Sequence, residues 1–269
     1  MTTVLGTRVF ALAEPAPAAF LISDLHVPAD GGQALAHLHH AVAAAEAARA
    51  ALFVLGDLFD SYVCRAQVRH GVWRDVAARF AAAGRAGVRV TVLHGNRDFL
   101  LGAEFAAASG ARIVAGGLRG AIGGVDTLLL HGDELCVNDL PYQRAKRWLR
   151  HPLTRAFARC LPLRMGLAVA ERARRKSRMV IQAGDQQRFL PTGGAVAAAF
   201  TGGAARLVFG HIHRFATGRV GEGEYWVLPA FDAGGVGLRC AGGAVEPVAF
   251  EAGGRVHAVP RPTGGALAG

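Results

Sequence analysis

Five short apolar runs, each ending in a polar cluster, constrain this chain more than any other feature. They are AAFLIS before Asp24, ALFVLG before Asp57, VRVTVLHG before Asn96, DTLLL before His131 and RLVFG before His211. Runs of this length, rich in Val, Leu, Ile and Phe, read as strands buried on both faces. Ala-rich stretches of helical character separate the early runs, over 34–51, 68–83 and 103–109. Strand and helix in alternation predict an α/β layered domain. After His213 the pattern turns strand-like with Gly punctuation, over 225–228, 248–251 and 256–259, which predicts a closing antiparallel sheet.

A chain of 269 residues, 52% hydrophobic, has ample material for one large domain or one domain with an insertion, and disorder is excluded. Lys and Arg outnumber Asp and Glu by 30 to 20, a net charge of +10 that favours anionic partners. Only Lys146 and Lys176 are lysines; the abundance of Ala, Gly and Arg suggests a coding bias, which accounts for part of the basic excess. No charge-free apolar run reaches the roughly 18–20 residues a membrane span needs. The first residues carry too short an apolar stretch for a secretory signal. Cys64, Cys136, Cys160 and Cys240 are widely spaced without a C-x-x-C pair, which argues against a disulfide framework and a zinc ribbon. A soluble, cytoplasmic protein is the expectation.

One segment breaks the rhythm. Residues 141–178 hold twelve Arg and Lys against the single acid Glu171, which leaves the rest of the chain near neutral. Leu149, Leu153, Phe157 and Leu161 fall at steps of four within it, an apolar stripe on a basic helix. Two readings fit: a helical hairpin packed on the core with a solvated Arg face, or a lid that meets an amphiphilic anion.

The polar clusters are Asp24-x-His26, Gly56-Asp57, Gly95-Asn96, His131-Gly132-Asp133 and Gly210-His211-x-His213. In an open α/β sheet, ligands gather outside the carboxyl ends of the strands. Five strands would therefore deliver Asp24, His26, Asp57, Asn96, His131, His211 and His213 to one crevice. Carboxylate, amide and imidazole donors suit borderline divalent metals such as Mn, Fe or Zn. Seven donors exceed the needs of one catalytic ion and suit two ions roughly 3.5–4 Å apart that share a carboxylate. Asp57, from a central strand, is the candidate bridge. The Gly before several of these residues permits the tight turn or close approach of a crowded site.

A dimetal centre activates water and screens phosphate charge for in-line displacement. Arg97, directly after Asn96, is placed to reach a phosphoryl oxygen bidentately, the bland alternative being an ion pair with Asp98. No P-loop, dinucleotide G-x-G-x-x-G or nucleophile elbow competes. The residues thus predict a metallophosphoesterase. His94 suggests a supporting role beside the ligands, as do Asp60 and Asp133, for which a turn role is equally open. His37, His39 and His40 read as helix-surface residues.

The order of these motifs resembles the calcineurin-like metallophosphoesterase superfamily. SDLH, LGDLFD, HGNRDFLLG, HGDELCVND followed by PYQ, and FGHIH are similar to its UDP-2,3-diacylglucosamine pyrophosphatase family, from about Phe20 to Arg214. Arg97 stands where most superfamily members have His. The resemblance implies a sandwich of two mixed β-sheets flanked by helices, formed by 1–140 and 190–269, with a helical lid insertion over 141–189. It implies two manganese ions, the first held by Asp24, His26, Asp57 and His213 and the second by Asp57, Asn96, His131 and His211. Asn96, Arg97 and His211 would contact the diphosphate, Asp139 the sugar, and Ser177 the substrate from the lid. The implied reaction is hydrolysis at the UMP-side phosphorus in lipid A synthesis, giving UMP and 2,3-diacylglucosamine 1-phosphate. The implied partners are an amphiphilic nucleotide-sugar lipid and the anionic inner-membrane surface, met peripherally from the cytoplasm, with no protein partner. SRMVIQAGDQQRF lacks the Asn and Lys that the family places downstream of its lid serine, and Asn138 stands where an acid is usual. Three rivals stay open: a different lipid or nucleotide phosphodiester or diphosphate as substrate, a nucleic-acid-processing enzyme, and a metal-free scaffold. Against the second, the basic segment has no repeated aromatic stacking pattern; against the third, all seven ligand positions are filled.

Overall fold

A computed structural model describes residues 2–183 and 186–268; the side chains of 176–178, 180–183 and 186 lie outside the described residues. The chain runs through β1 (Thr2–Val4), β2 (Thr7–Ala11), β3 (Ala18–Ile22), α1 (Gly32–Ala48), β4 (Ala51–Val54), α2 (Gly71–Arg85), β5 (Val90–Leu93), α3 (Ala103–Ser109) and β6 (Arg112–Val114). It continues through β7 (Gly117–Ile122), β8 (Val125–Leu129), α4 (Leu140–Leu149), α5 (Pro152–Arg159), α6 (Leu163–Ala183), α7 (Gly193–Phe200) and β9 (Arg206–Phe209). The last elements are β10 (Ala216–Val220), β11 (Gly223–Val227), β12 (Val236–Ala241), β13 (Ala244–Phe250) and β14 (Val256–Ala258).

Two mixed sheets of seven strands each form the body, in the orders β14-β13-β12-β3-β4-β5-β6 and β1-β2-β7-β8-β9-β11-β10. Strands β3 to β6 are parallel, as the intervening helices require. The two-residue period of each strand divides its side chains between layers. Leu21, Phe53 and Leu93 pack between the sheets with Leu129, Val208 and Trp226. Phe20, Ile22, Leu52 and Val54 face α1, α2 and α3. Leu128, Leu207 and Phe209 face α7 on the other outer surface. Both faces of these strands are therefore buried, which is why their sequences read as continuous apolar runs rather than alternation.

The layered α/β expectation is met, and three details differ. The first helix stops at Ala48 because Arg49 turns left-handed (φ 48°), freeing Ala51 to begin β4. The strands after His213 do not close one sheet: β10 and β11 join the second sheet, while β12, β13 and β14 extend the first across β3. The apolar stripe is not on one helix. Pro152, at the first turn of α5, starts a new helix there, leaving Leu149 on α4 and Leu153 and Phe157 on α5. Leu153 and Phe157 are 75% and 72% exposed, so the stripe is not packed on the core. Among the described residues, no helix is long and apolar enough to cross a membrane.

Candidate metal centre

The polar clusters follow β3, β4, β5, β8 and β9 directly, so the sandwich brings their side chains to one end of the two sheets. Asp24, His26 and His213 form one group of converging donor atoms, and Asp24, Asp57 and His131 a second. Asp24 Oδ1 lies 3.3 Å from His213 Nε2, and His26 Nε2 lies 3.0 Å from the same nitrogen. The Asp57 carboxylate faces both groups: Oδ2 is 3.8 Å from His26 Nδ1, and Oδ1 is 3.9 Å from His131 Nε2. Asn96 Oδ1 lies 3.1 Å from His131 Nε2. His211 donates its backbone N–H to Asp24 Oδ2 at 2.8 Å, and its ring meets that of His131 edge to face, centroids 5.0 Å apart, outside the two converging groups.

The backbone is bent to achieve this. Asp24, His26, Asp57, His211 and His213 all have φ between 47° and 71°, and they are five of the seven described non-glycine residues with positive φ. Each such residue stores of order 1–3 kcal/mol of strain, a pattern that clusters at functional sites. Glycines make room for the carboxylates. A Cβ on Gly95 would lie 2.1 Å from Asp57 Oδ1, and one on Gly210 would lie 2.3 Å from Asp24 Oδ2. Gly56, at φ +99°, meets both demands, since a Cβ there would also strike the ring of His131.

Electrostatics identify what the cluster would hold. Burial, reinforced by the Asp98 and Asp24 carboxylates, pushes Asp57 up to about 7. Burial opposes a charge on His131, yet the Asp57 and Asp24 carboxylates override it and raise the imidazole to about 9. Burial also works against Asp24, but its bond to His213 and the neighbouring imidazoles hold it well below the carboxylate range. Asp24 Oδ1 and His26 Nδ1 are buried without a hydrogen-bond partner. Crowded buried carboxylates and buried donor atoms without a partner are the surroundings of a divalent cation, whose charge would favour ionised carboxylates and neutral imidazoles instead. The oxygen and nitrogen donors fit borderline divalent metals.

A ring of contacts holds the donors. His131 Nδ1 bonds the Leu55 carbonyl at 2.8 Å, leaving Nε2 to face Asp57 and Asn96. Asp98 is fully buried and accepts from Leu58 N and Gly95 N at 2.7 and 2.8 Å, tying the loops after β4 and β5 together. It is therefore not the partner of Arg97. Arg97 pairs with Asp60 at 2.8 Å and approaches Asp57 at 3.6 Å, with its side chain 34% exposed. Asp60 also takes Arg174 of α6. Asp139 caps α4 and pairs with Arg188 at 3.4 Å. The side chain of Ser177 lies outside the described residues.

Sequence reasoning missed the grip of α4 on the centre. Asp133, fully buried behind His131, takes Lys146 Nζ at 2.9 Å, Arg150 at 3.5 Å and the Tyr142 hydroxyl. The signal was present: Tyr142, Lys146 and Arg150 recur at steps of four, which places them along one helix face.

A family model for calcineurin-like phosphoesterases matches residues 19–215, the span that carries every strand-end cluster described above. The chain belongs to that family. Relatives of this phosphoesterase named UDP-2,3-diacylglucosamine hydrolase include one from Ralstonia nicotianae, 33% identical over 227 residues, 79% of this chain and 83% of the relative. One from Azotobacter vinelandii is 34% identical over 72% of this chain and 80% of its own length. One from Nitrosococcus oceani is 36% identical over 73% of this chain and 79% of its own.

Proposed function

We propose that this phosphoesterase hydrolyses UDP-2,3-diacylglucosamine to UMP and 2,3-diacylglucosamine 1-phosphate, in lipid A synthesis, with two divalent ions, manganese first among them. The observation that carries the reading is one buried carboxylate, Asp57, facing His26 through one oxygen and His131 through the other. The names of the relatives supply the substrate class. Asp24, His26, Asp57 and His213 would hold one ion, and Asp57, Asn96, His131 and His211 the other. When bound, the ions polarise the phosphoryl group and lower the pKa of the attacking water.

The chain's own residues do the positioning. Arg97, anchored by Asp60, swings its guanidinium toward charge that develops on the phosphoryl oxygens. Asn96 and His211 border the same space and would orient the diphosphate. Asp139 would meet the sugar after exchanging its ion pair with Arg188, and Ser177 would contact substrate from α6. Residues 141–189 would act as a lid over a domain made of 1–140 and 190–269. A cavity of about 440 Å³ lies between α6 and the Asp60 loop, its wall made of apolar Val27, Trp73 and Leu167, the cations Arg164 and Arg174, and the carboxylates Asp60 and Glu171; its apolar part would take the acyl chains of the substrate. Exposed Trp148, Leu153, Phe157 and Met165 beside many arginines would rest on an anionic inner-membrane surface from the cytoplasm.

The test is UMP release by the Mn²⁺-supplemented protein from the diacylated nucleotide sugar and, in parallel, from UDP-N-acetylglucosamine, which lacks the long acyl chains. Release from the diacylated substrate alone is expected. Hydrolysis of neither, with turnover of a simple phosphodiester, would overturn the substrate and leave the metal site.

A further inference from the structure

A second cavity, of about 530 Å³, lies between the β1–β2 turn, α4 and the start of α5. Its size is that of a small-molecule site. Arg8, Lys146, Arg147, Arg150 and Arg155 line it, no acid does, and none of the seven metal-centre residues is among its walls. Gln143, Lys146, Arg147 and Arg150 come from one face of α4, at steps of three and four. Lys146 and Arg150 share the single carboxylate of Asp133. Among the described residues, Arg8, Arg147 and Arg155 have no carboxylate within ion-pair distance.

Asp133 offsets part of the charge of Lys146 and Arg150, but holding Arg8, Arg147 and Arg155 beside them around one concavity is costly unless something of opposite charge enters. Burial first, and then the neighbouring charges of Arg159 and Arg150, hold Arg155 below the ordinary guanidinium range. Guanidinium groups arranged around a recess match phosphate oxygens, two N–H donors to two oxygens each. Leu5 and Phe99 complete the wall with apolar surface, where the organic part of a ligand would lie.

We propose that this cavity is a second anion site, separate from the metal centre, that binds a phosphate-bearing ligand through Arg8, Arg147, Arg150 and Arg155. The phosphate belongs either to a free phosphate compound or to a lipid headgroup presented at the β1–β2 turn. It stands whether or not the diacylated sugar is the substrate, because its walls are different residues.

Inorganic phosphate titrated calorimetrically into the Mn²⁺-loaded protein is expected to fill two sites. The Arg8→Gln/Arg155→Gln variant should weaken one of them about tenfold per lost guanidinium. Arg97→Ala should affect only the other. Should the double variant fold poorly, Arg155→Gln alone, on the first helical turns after Pro152, carries the same test. Cosedimentation with phosphatidylglycerol vesicles, against phosphatidylcholine vesicles, separates the two sources. Vesicle binding that falls in the variant and with added phosphate assigns the site to a headgroup; vesicle binding unchanged, with the calorimetric loss intact, assigns it to a free phosphate. A single phosphate site, indifferent to Arg8 and Arg155, would overturn the proposal.

Discussion

Gly95→Ala is the smallest change that tests how tightly the centre is built. Gly95 has an ordinary negative φ, so alanine meets no backbone penalty there; space alone is at issue. The new methyl carbon would sit 2.1 Å from Asp57 Oδ1, 2.3 Å from Asp57 N and 2.8 Å from the carboxyl carbon. A carbon and an oxygen need roughly 3.2 Å, so either the loop after β5 or the Asp57 carboxylate must move by about 1 Å. Neither can move freely. The loop is held by Asp98, which bonds Gly95 N and Leu58 N, and Asp57 is held by its bond from Arg97 N at 2.9 Å. Overpacking of this kind costs about 1–3 kcal/mol of stability, and a 1 Å displacement of a reacting group costs on the order of a hundredfold in rate. The variant is therefore expected to fold with a melting temperature a few degrees lower, to bind less than its full complement of metal, and to turn over at about 1% of the wild-type rate or less. Metal analysis, thermal unfolding and UMP release on the same preparation give the three readouts. Full metal content with wild-type turnover would refute the reasoning, since it would mean the carboxylate has room the structure denies it.

Asp57→Ala and His131→Ala should each abolish hydrolysis in a protein that remains folded, judged by circular dichroism beside the rate assay. Arg97→Ala should lower kcat by about 10²–10³ while metal analysis stays at the wild-type value; loss of metal would mean that its pairing with Asp60 and Asp57 is structural. Chelation should lower the melting temperature, and Mn²⁺ should restore it, because the buried carboxylates of Asp24 and Asp57 then lose their counter-charge. Asp133 has a pKa held well below the usual range, with burial outweighed by Lys146, Arg150 and His131, so its stabilising effect is present above about 3.8 and lost as pH falls further. Asp133→Asn should therefore be less stable than wild type by about 3–5 kcal/mol near neutral pH, with the difference shrinking in acid denaturation below pH 4.

The polar clusters of the candidate site were legible because their grammar is local: a strand, then a donor within two or three residues, often after glycine. Convergence of the clusters followed from topology alone, since parallel strands place their carboxyl ends together. The left-handed conformations of Asp24, His26, Asp57, His211 and His213 were not legible, because nothing in an Asp or His announces positive φ. Short or glycine-broken strands also escaped. β1 and β6 have three residues each, and β7 contains Gly117 and Gly120, so no two-residue period develops. The split of the C-terminal strands between sheets depends on which edge is free, a fact about the whole sandwich. The stripe from Leu149 to Leu161 was read by spacing across His151 and Pro152, where the N–H-less ring starts a new helix. Asp133 read equally as a turn residue and as a support beside the ligands; the partners it takes from α4, a lysine, an arginine and a tyrosine, come from the following helix rather than from its own motif and were missed.

The most direct test of the central claim is the stoichiometry and coupling of bound Mn²⁺. The chelated protein, titrated with Mn²⁺ and followed by calorimetry and electron paramagnetic resonance, should take up two ions per chain and show a spin-coupled spectrum, as ions roughly 3.5–4 Å apart across a shared carboxylate must. Asp57→Ala should abolish the coupling. A single uncoupled ion in the wild type, with full hydrolytic activity, would contradict the account.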